Sequence, residues 1–410
     1  MSGGGYVDAA AAVILAAVLC VGTVNAQPEP GWTSWSAYSD TRTSLFKPRP
    51  NGASVAAVGP VKGPPFVPSF RVWDVNDTGE LVEPRDIFGE DFLPWDFAWA
   101  GDLLLMLRVG PLSEYEDWYE AVPEGNLVVW DPGTDAVVTE NDQMFSALSV
   151  MAGDGRAIAV TGGLGLGRPG LSLVTVPELT VGAEISTAWS FFQSYGGGPT
   201  VLWPHPDESG LFAVTIGEAR IGGEGVVDSG FLTFIRTDGE LTRIGTIGGH
   251  WTSSGAILAP PGITPVDGGR AAAAYVRGKN RKDSLVIYGP EGPIRSYRLG
   301  GGFDGGGYPL KLARMDEEYN PWRFIAMAPD GRRALFQKMW DRDPATGYDL
   351  RPVWCWDMEA DEGYHVADMR IIEEIHGWLN DDAVILGVEF EGSRTHHEYG
   401  LLRIGMHEQK

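Results

Sequence analysis

One unit recurs along this chain, and it restricts the possible folds more than any other feature. It is an apolar strand, a tight turn of Pro, Asp, Asn and Gly, and a second apolar strand. The clearest copy, from Ile325, reads I-A-M-A-P-D-G-R-R-A-L-F; others are S-V-M-A-G-D-G-R-A-I-A-V from Ser149 and W-P-H-P-D-E-S-G-L-F-A-V from Trp203. Shorter copies begin at Phe97, Leu258, Gly377 and Arg49, which makes seven. Each is followed by a second hairpin whose first strand is aromatic or β-branched, as in F-R-V-W-D-V from Phe70, F-L-T-F-I-R-T-D-G from Phe231 and V-W-C-W-D from Val353. Asp-Gly, Pro-Gly and Asn-Gly in the turns supply the positive φ that tight hairpins need. Four short antiparallel strands, repeated about every 40–50 residues, are the blade of a β-propeller.

Seven units fill residues 43–407, so the expected fold is an all-β propeller of seven four-stranded blades. Six blades is the alternative, because the copy at Arg49 is the least complete. The last unit lacks an outer strand after Met406, and Trp32 to Tyr38 is the segment expected to supply it. An open blade edge exposes unpaired backbone donors and acceptors, so such a ring calls for closure. Residues 27–42 are therefore read as a closing segment and 43–410 as the propeller. With 56 Gly and 28 Pro long helices cannot dominate, and with 15 Trp, 13 Tyr and 16 Phe the chain is not disordered.

Ala9 to Val24 is an apolar run shorter than the roughly 20 residues a membrane span needs. It ends in Val24-Asn25-Ala26 before a polar, Pro-rich start, which reads as a secretory leader, residues 1–26, cut after Ala26. The expected location is periplasmic or secreted. One feature disagrees with a leader, since residues 1–8 hold Asp8 and no Lys or Arg; the competing reading is an uncleaved anchor, which the shortness of the run disfavours. Cleavage leaves Cys355 as the one cysteine, so no internal disulfide forms. Strand alternation sets Cys355 opposite Trp354 and Trp356, as a buried thiol.

The net charge is −24, and a surface that negative repels phosphate backbones, which argues against nucleic-acid partners. The one basic cluster, Arg277 to Lys282, reads as a hairpin loop. Gly165 to Gly170 matches G-x-G-x-x-G but precedes a strand, where a dinucleotide site needs a helix. No G-x-S-x-G occurs, and no catalytic motif survives its context.

The A-P-D-G-R-R-A-L-F copy at Ala328 and its relatives resemble the repeat of TolB-like and other WD-related bacterial propellers, over most of the chain after residue 26. Four of the seven copies depart from the motif in the turn. The resemblance implies a propeller of a kind that includes protein-binding periplasmic modules, peptidase-associated propellers and some polysaccharide lyases.

In such a blade the first–second and third–fourth strand connections share one end of the disc, and here they are tight. The opposite end is expected to carry long loops at 109–125, 162–170, 187–198, 217–229, 300–320, 340–350 and 391–398. Long loops on a rigid scaffold are where function concentrates. Tyr115, Trp118, Tyr119, Trp340, Tyr348 and His396 fall there and are the candidate binding residues, since aromatics suit a sugar ring or a partner's apolar anchor. Asp341, Asp343 and Asp349 are candidate Ca2+ ligands, although Gly347 is one place late for an EF-hand and Pro352 stands where Glu is wanted. His250, His376 and His396 are the histidines a ring could bring to the channel mouth. No cofactor is expected. The leading expectation is a monomeric, exported, non-enzymatic binding or scaffold propeller that meets an envelope or extracellular protein or glycan. The alternative is a propeller enzyme, a polysaccharide lyase or hydrolase, working at the channel mouth.

Overall fold

The computed structural model describes residues 31–38, 45–49, 54–59, 69–82, 85–87, 93–109, 125–145, 150–153, 156–161, 170–186, 190–191, 202–207, 209–220, 226–236, 238, 240–247, 263–276, 283–300, 309–315, 322–338, 350–390 and 393–404. Among these, the strands form seven antiparallel sheets. Sheet one holds Leu45–Pro48, Ser54–Gly59, Ser69–Asp74 and Arg85–Ile87, paired in chain order. Sheet two runs from Leu93–Ala100 to Ala136–Phe145, sheet three from Val150–Gly153 to Val181–Ser186, and sheet five from Thr264–Val266 to Gly292–Arg298. Sheet six runs from Trp322–Met327 to Glu362–Met369. Sheet four has a fifth strand, because both Ser190–Phe191 and Leu202–Pro204 pair with Gly210–Arg220. Every repeat copy read from the sequence falls at the first hairpin of one of these sheets.

The sheets stack through apolar faces, each on the next. Phe70 and Val72 of sheet one meet Phe97, Trp99 and Met106 of sheet two, and Leu105 and Leu127 meet Val174 of sheet three. Val150–Gly153 lies against Leu202–Pro204. Trp203, Phe212 and Phe234 of sheet four meet Ala272, Ala274 and Tyr288 of sheet five; Tyr275 and Ile287 meet Phe324, Phe336 and Trp356 of sheet six. Ile325, Leu335 and Cys355 meet Val384, Leu386 and Leu402 of sheet seven. Sheet seven then packs on sheet one, Ile385, Tyr399 and Leu401 against Phe46, Val55 and Trp73. The inner strands are buried on both faces and so read as continuous apolar runs, whereas an outermost strand such as Gly292–Arg298 is mostly exposed. The chain is an all-β propeller.

Sheet seven is assembled from both ends of the chain. Ile372–Asn380, Ala383–Phe390 and Ser393–Arg403 are consecutive, and the fourth strand is Trp32–Tyr38, antiparallel to Ser393–Arg403 with Trp32 opposite Leu402.

One side-chain device shapes the tight turns. Asp330 Oδ1 accepts hydrogen bonds from the backbone N–H of Arg332 and Arg333 at 2.8 and 3.0 Å, and Gly331 takes φ +66°. Asp131 does the same for Gly133, Asp207 for Ser209, Asp238 for Glu240 and Asp357 for Glu359. A carboxylate that holds the turn's own donors costs the sheet no ladder bond, which is why Asp recurs at these points.

Two expected loops are strand instead. In 217–229, Gly217 pairs with Ser229 and Ala219 with Val227, so the hairpin extends to Arg220 and Val226. In 391–398, Phe390 pairs with Ser393 and Glu389 with His397, so Arg394 to His396 are extra residues in the strand Ser393–Arg403. The 300–320 segment includes a short helix, Leu310–Met315, whose Leu312 is buried against sheets five and six.

Candidate functional site

The two ends of the propeller differ. At one end lie the tight turns, tied to one another across sheets. Arg49 pairs with Asp102, Trp99 Nε1 donates to Lys47 O at 2.8 Å, Asp267 N donates to Pro329 O at 2.9 Å and Trp203 Nε1 donates to Gly269 O at 3.2 Å. Asp102, Asp207, Asp267, Asp330, Asp381 and Asp382 all stand in first-hairpin turns, so this end is acidic.

The opposite end carries the long connections, and their described stems are polar. The segment between Val109 and Gly125 leaves from a pair in which a side chain on Gly125 would sit 2.3 Å from Arg108 O. Beside it Arg108 Nε donates to Asn126 Oδ1 at 3.2 Å, and both residues also pair with Glu140. The segment between Lys338 and Arg351 leaves from two cations, each more than nine-tenths buried. Nearby, Gln337 joins sheets six and seven: its Nε2 donates to Arg370 O at 2.7 Å and its Oε1 accepts from Ile372 N at 3.0 Å. Arg323 donates to Ile372 O, and Arg370 lies 3.7 Å from Glu398. This polar seam escaped the sequence reading because its members stand singly at strand ends; the only signal was an Arg or Lys next to each of four consecutive strand termini.

Tyr115, Trp118, Tyr119, Trp340, Tyr348, Asp341, Asp343, Asp349 and His250 lie outside the described residues. His396 lies within the strand Ser393–Arg403 rather than in a loop. His376 is also not at a channel mouth. It stands in Ile372–Asn380 between the rings of Phe46 and Tyr399, with centroids 5.4 and 5.1 Å away. The structure thus does not bring the three histidines to one mouth: His376 belongs to the packing between sheets seven and one.

Among the described residues no group of three or more His, Cys, Asp or Glu is placed to hold a metal, and no helix is long and apolar enough to cross a membrane. Cys355 is fully buried in the sheet six–seven core, with Trp354 and Trp356 on the opposite face. Burial pushes its thiol up to about 11, against a weaker lowering by the Tyr364 hydroxyl, so little of it is thiolate at neutral pH. His205 pairs with Asp207 in a tight turn, and His365 Nε2 lies 2.9 Å from Asp368 on an outer strand. Both pairs are contacts within one local stretch of chain. The Asp207 carboxyl is held down at about 2, first by the Ser209 hydroxyl and then by the Ser209 amide.

No family model matches the chain, and no curated protein matches its sequence. Among solved structures it is similar to the β-propeller domain of the Trilobed protease from Pyrococcus furiosus, at 12% identity over 91% of this chain and 99% of that one, with a TM-score of 0.49. It is similar to TolB from Acinetobacter baumannii at 12% identity over 77% of this chain and 63% of that one, TM-score 0.35. Oligogalacturonate lyase in complex with manganese aligns at 11% identity over 88% and 79%, TM-score 0.41. Likeness at this level says nothing of activity.

Proposed function

We propose that this chain is a seven-bladed propeller, closed by Trp32–Tyr38 and exported with loss of residues 1–26, that acts as a non-enzymatic binding module. Its partner is a protein or glycan of the envelope or extracellular space, met by the loop-bearing end. The observation that carries the reading is the asymmetry of the disc. Every described first-hairpin turn is short, as between Ala100 and Leu103 or Asn380 and Ala383. The segments from Val109 to Gly125 and from Lys338 to Arg351 are long, and both are at the other end. Ordering extra chain costs roughly 1–2 kcal/mol per residue, so long connections that a ring does not require are uncommon unless they do something.

Tyr115, Trp118 and Tyr119 are the first cluster to test, Trp340 and Tyr348 the second, and His396 a further candidate. The TolB-like resemblance fits a protein partner. Calcium at Asp341, Asp343 and Asp349 is not part of the reading, because Gly347 and Pro352 depart from the EF-hand spacing. One observation favours the enzymatic alternative, a polysaccharide lyase or hydrolase: the charged seam of Arg323, Arg351, Arg370 and Glu398.

The test is a pair of alanine clusters, Tyr115/Trp118/Tyr119 against Arg332/Asp238, on a ligand found by glycan array or pull-down. Affinity falls at least about tenfold in the first, or 1.4 kcal/mol, and holds in the second. The reverse pattern moves the site to the turn end. Release of reducing ends or of unsaturated products from a polysaccharide would replace the binding reading with the enzymatic one.

A further inference from the structure

Three groups from the two ends of the chain meet one turn of sheet one. Thr33 Oγ1 donates to Thr78 O at 3.2 Å, Trp35 Nε1 donates to Gly79 O at 2.8 Å, and Arg403 Nη2 donates to Asn76 O at 3.3 Å. The turn is also braced from within, since Asn76 Oδ1 accepts from the N–H of Thr78 at 3.0 Å and of Glu80 at 2.8 Å. Two of its carbonyls, Thr78 O and Gly79 O, meet the incoming strand, and the third, Asn76 O, is held by Arg403 of the receiving strand.

The incoming strand is matched to that slot. Its ladder with Ser393–Arg403 is regular from Trp32 to Ser34 and shifts register between Ser34 and Ser36, so Trp35 is the extra residue of a bulge. A bulge re-aims a side chain, and here the indole packs on Phe46 of sheet one, ring centroids 5.9 Å apart, as well as bonding to Gly79. Glycines on the receiving side make the room. A Cβ on Gly400 would lie 2.3 Å from Thr33 O and 2.8 Å from the Trp32 ring. One on Gly79, whose φ is +88°, would lie 3.2 Å from Thr33 Oγ1. Ser34 faces outward and is exposed.

We propose that the outer edge of Ser393–Arg403, together with the Asn76–Glu80 turn, is a preformed binding site for an extended peptide with indoles three residues apart. The chain's own W-T-S-W, Trp32 to Trp35, fills it, and the same segment supplied as a free peptide takes its place. The inference rests on closure by Trp32–Tyr38. It adds that the slot is selective and exchangeable, read through an indole donor at position 35 and a glycine-lined seat at position 32. Backbone pairing gives affinity and the two seats give specificity, as in other strand-addition sites.

The experiment uses the full mature chain with a site-specific protease sequence inserted in residues 39–44. After cutting, a fluorescent peptide of residues 29–42 enters the protein, and unlabelled peptide displaces it. Trp35→Ala in the peptide weakens competition at least tenfold, and Ser34→Ala leaves it unchanged. Two results overturn the inference: a cut, folded protein that admits no peptide, or Trp35→Ala competing equally. A cut protein that loses its own strand and keeps its melting temperature refutes closure itself; a fall in melting temperature with no peptide entry leaves closure standing and removes the binding site. Should the cut chain unfold, the rate of cutting at the inserted site is read instead. Trp35→Ala and Gly79→Ala in the chain speed it at least tenfold and Ser34→Ala does not; equal rates in all three overturn the inference.

Discussion

Arg333 Nη1 donates to Asp382 Oδ1 at 2.6 Å and so joins the first turn of sheet six to the first turn of sheet seven. The same guanidinium reaches Asp381 O at 3.0 Å and Asp330 Oδ2 at 2.6 Å. Burial would lower its affinity for the proton, yet the hydrogen bonds to Asp382 and Asp330 outweigh that and hold it above the usual arginine range. Arg49 and Asp102 make the corresponding tie between sheets one and two. The A-P-D-G-R-R sequence is thereby explained: the Asp shapes its own turn, and the second Arg holds the next sheet.

Arg333→Ala is expected to cost about 2 kcal/mol, because a largely buried guanidinium loses charge-assisted bonds on both sides. Asp382 is 62% exposed, so the coupling between Arg333→Ala and Asp382→Ala is smaller, about 0.5–1 kcal/mol. Arg332, which is 53% exposed, pairs with Asp357 near the surface, and Arg332→Ala stays within about 0.5 kcal/mol. Urea midpoints of the four variants check this. Equal losses at Arg332 and Arg333 would refute the division of labour.

The turns were the most legible part of the sequence, because Asp-Gly and its relatives act through local hydrogen bonds that need no distant partner. Trp32 to Tyr38 was legible for a different reason, a count of strands one short at the other end. The hairpin through Gly217 and Ser229 was not, since glycines and charges at alternate places hide a strand whose faces are set by its neighbours. His376 could not be placed either: its seat between Phe46 and Tyr399 is built from residues more than three hundred positions apart. The polar seam around Gln337 joins the ends of strands from two sheets, and no spacing along one strand reports it.

Stability should depend on acidity in two opposed ways. From pH 7 toward the isoelectric point near 4.6, the charge of −24 falls to zero and its self-repulsion with it, so stability holds or rises. Below that, the turn carboxylates decide. Asp207 has a folded value of about 2 against 3.8 when free, and Asp131 and Asp357 are lowered as well. A depressed carboxyl stabilises the fold above its free value, and that contribution is lost as pH falls from near 4 through the folded value. Urea midpoints measured from pH 7 to 2 should pass a plateau or maximum and then drop. Asp207→Asn should flatten part of the drop; a monotonic decline from pH 7 would contradict the first half.

Cys355 should be inert until the propeller opens. Its folded value of about 11 lies above the ordinary 9.0, so the thiolate is disfavoured in the fold. At pH 8 a disulfide reagent should label the native protein at least a hundred times more slowly than the urea-unfolded chain. The sign for stability follows: between pH 9 and about 11 the thiol ionises chiefly in the unfolded state, which favours unfolding across that window. Cys355→Ser should abolish labelling in urea. Rapid labelling without denaturant would place the thiol outside the sheet six–seven core.

The first and last described residues, Gly31 and Ile404, stand at the turn end of the disc. Trp32 pairs with Leu402, and Ala383, which directly follows the Asp381-Asp382 turn, pairs with Arg403, so Gly31 and Ile404 lie at that level. Arg403 N donates to Gly31 O at 2.8 Å and Ile404 N to Asp382 O at 2.8 Å, which fixes both exits. A group joined close to either point starts at the end opposite the long connections. A folded domain of about 100 residues fused before Gln27 or after Lys410 should therefore change ligand affinity less than about twofold. A bulky group on the loop-bearing end should act differently. Because Cys355 is shielded, Trp118→Cys gives a single reactive thiol in the mature chain, to which biotin and then streptavidin can be attached. That conjugate should lose at least tenfold in affinity, while the same conjugate made through Asp238→Cys at a tight turn should not. The comparison separates steric blockade from loss of the indole, since Trp118→Cys without the conjugate is measured beside it. If terminal fusions block binding and the Trp118→Cys conjugate does not, the working surface is the acidic turn end.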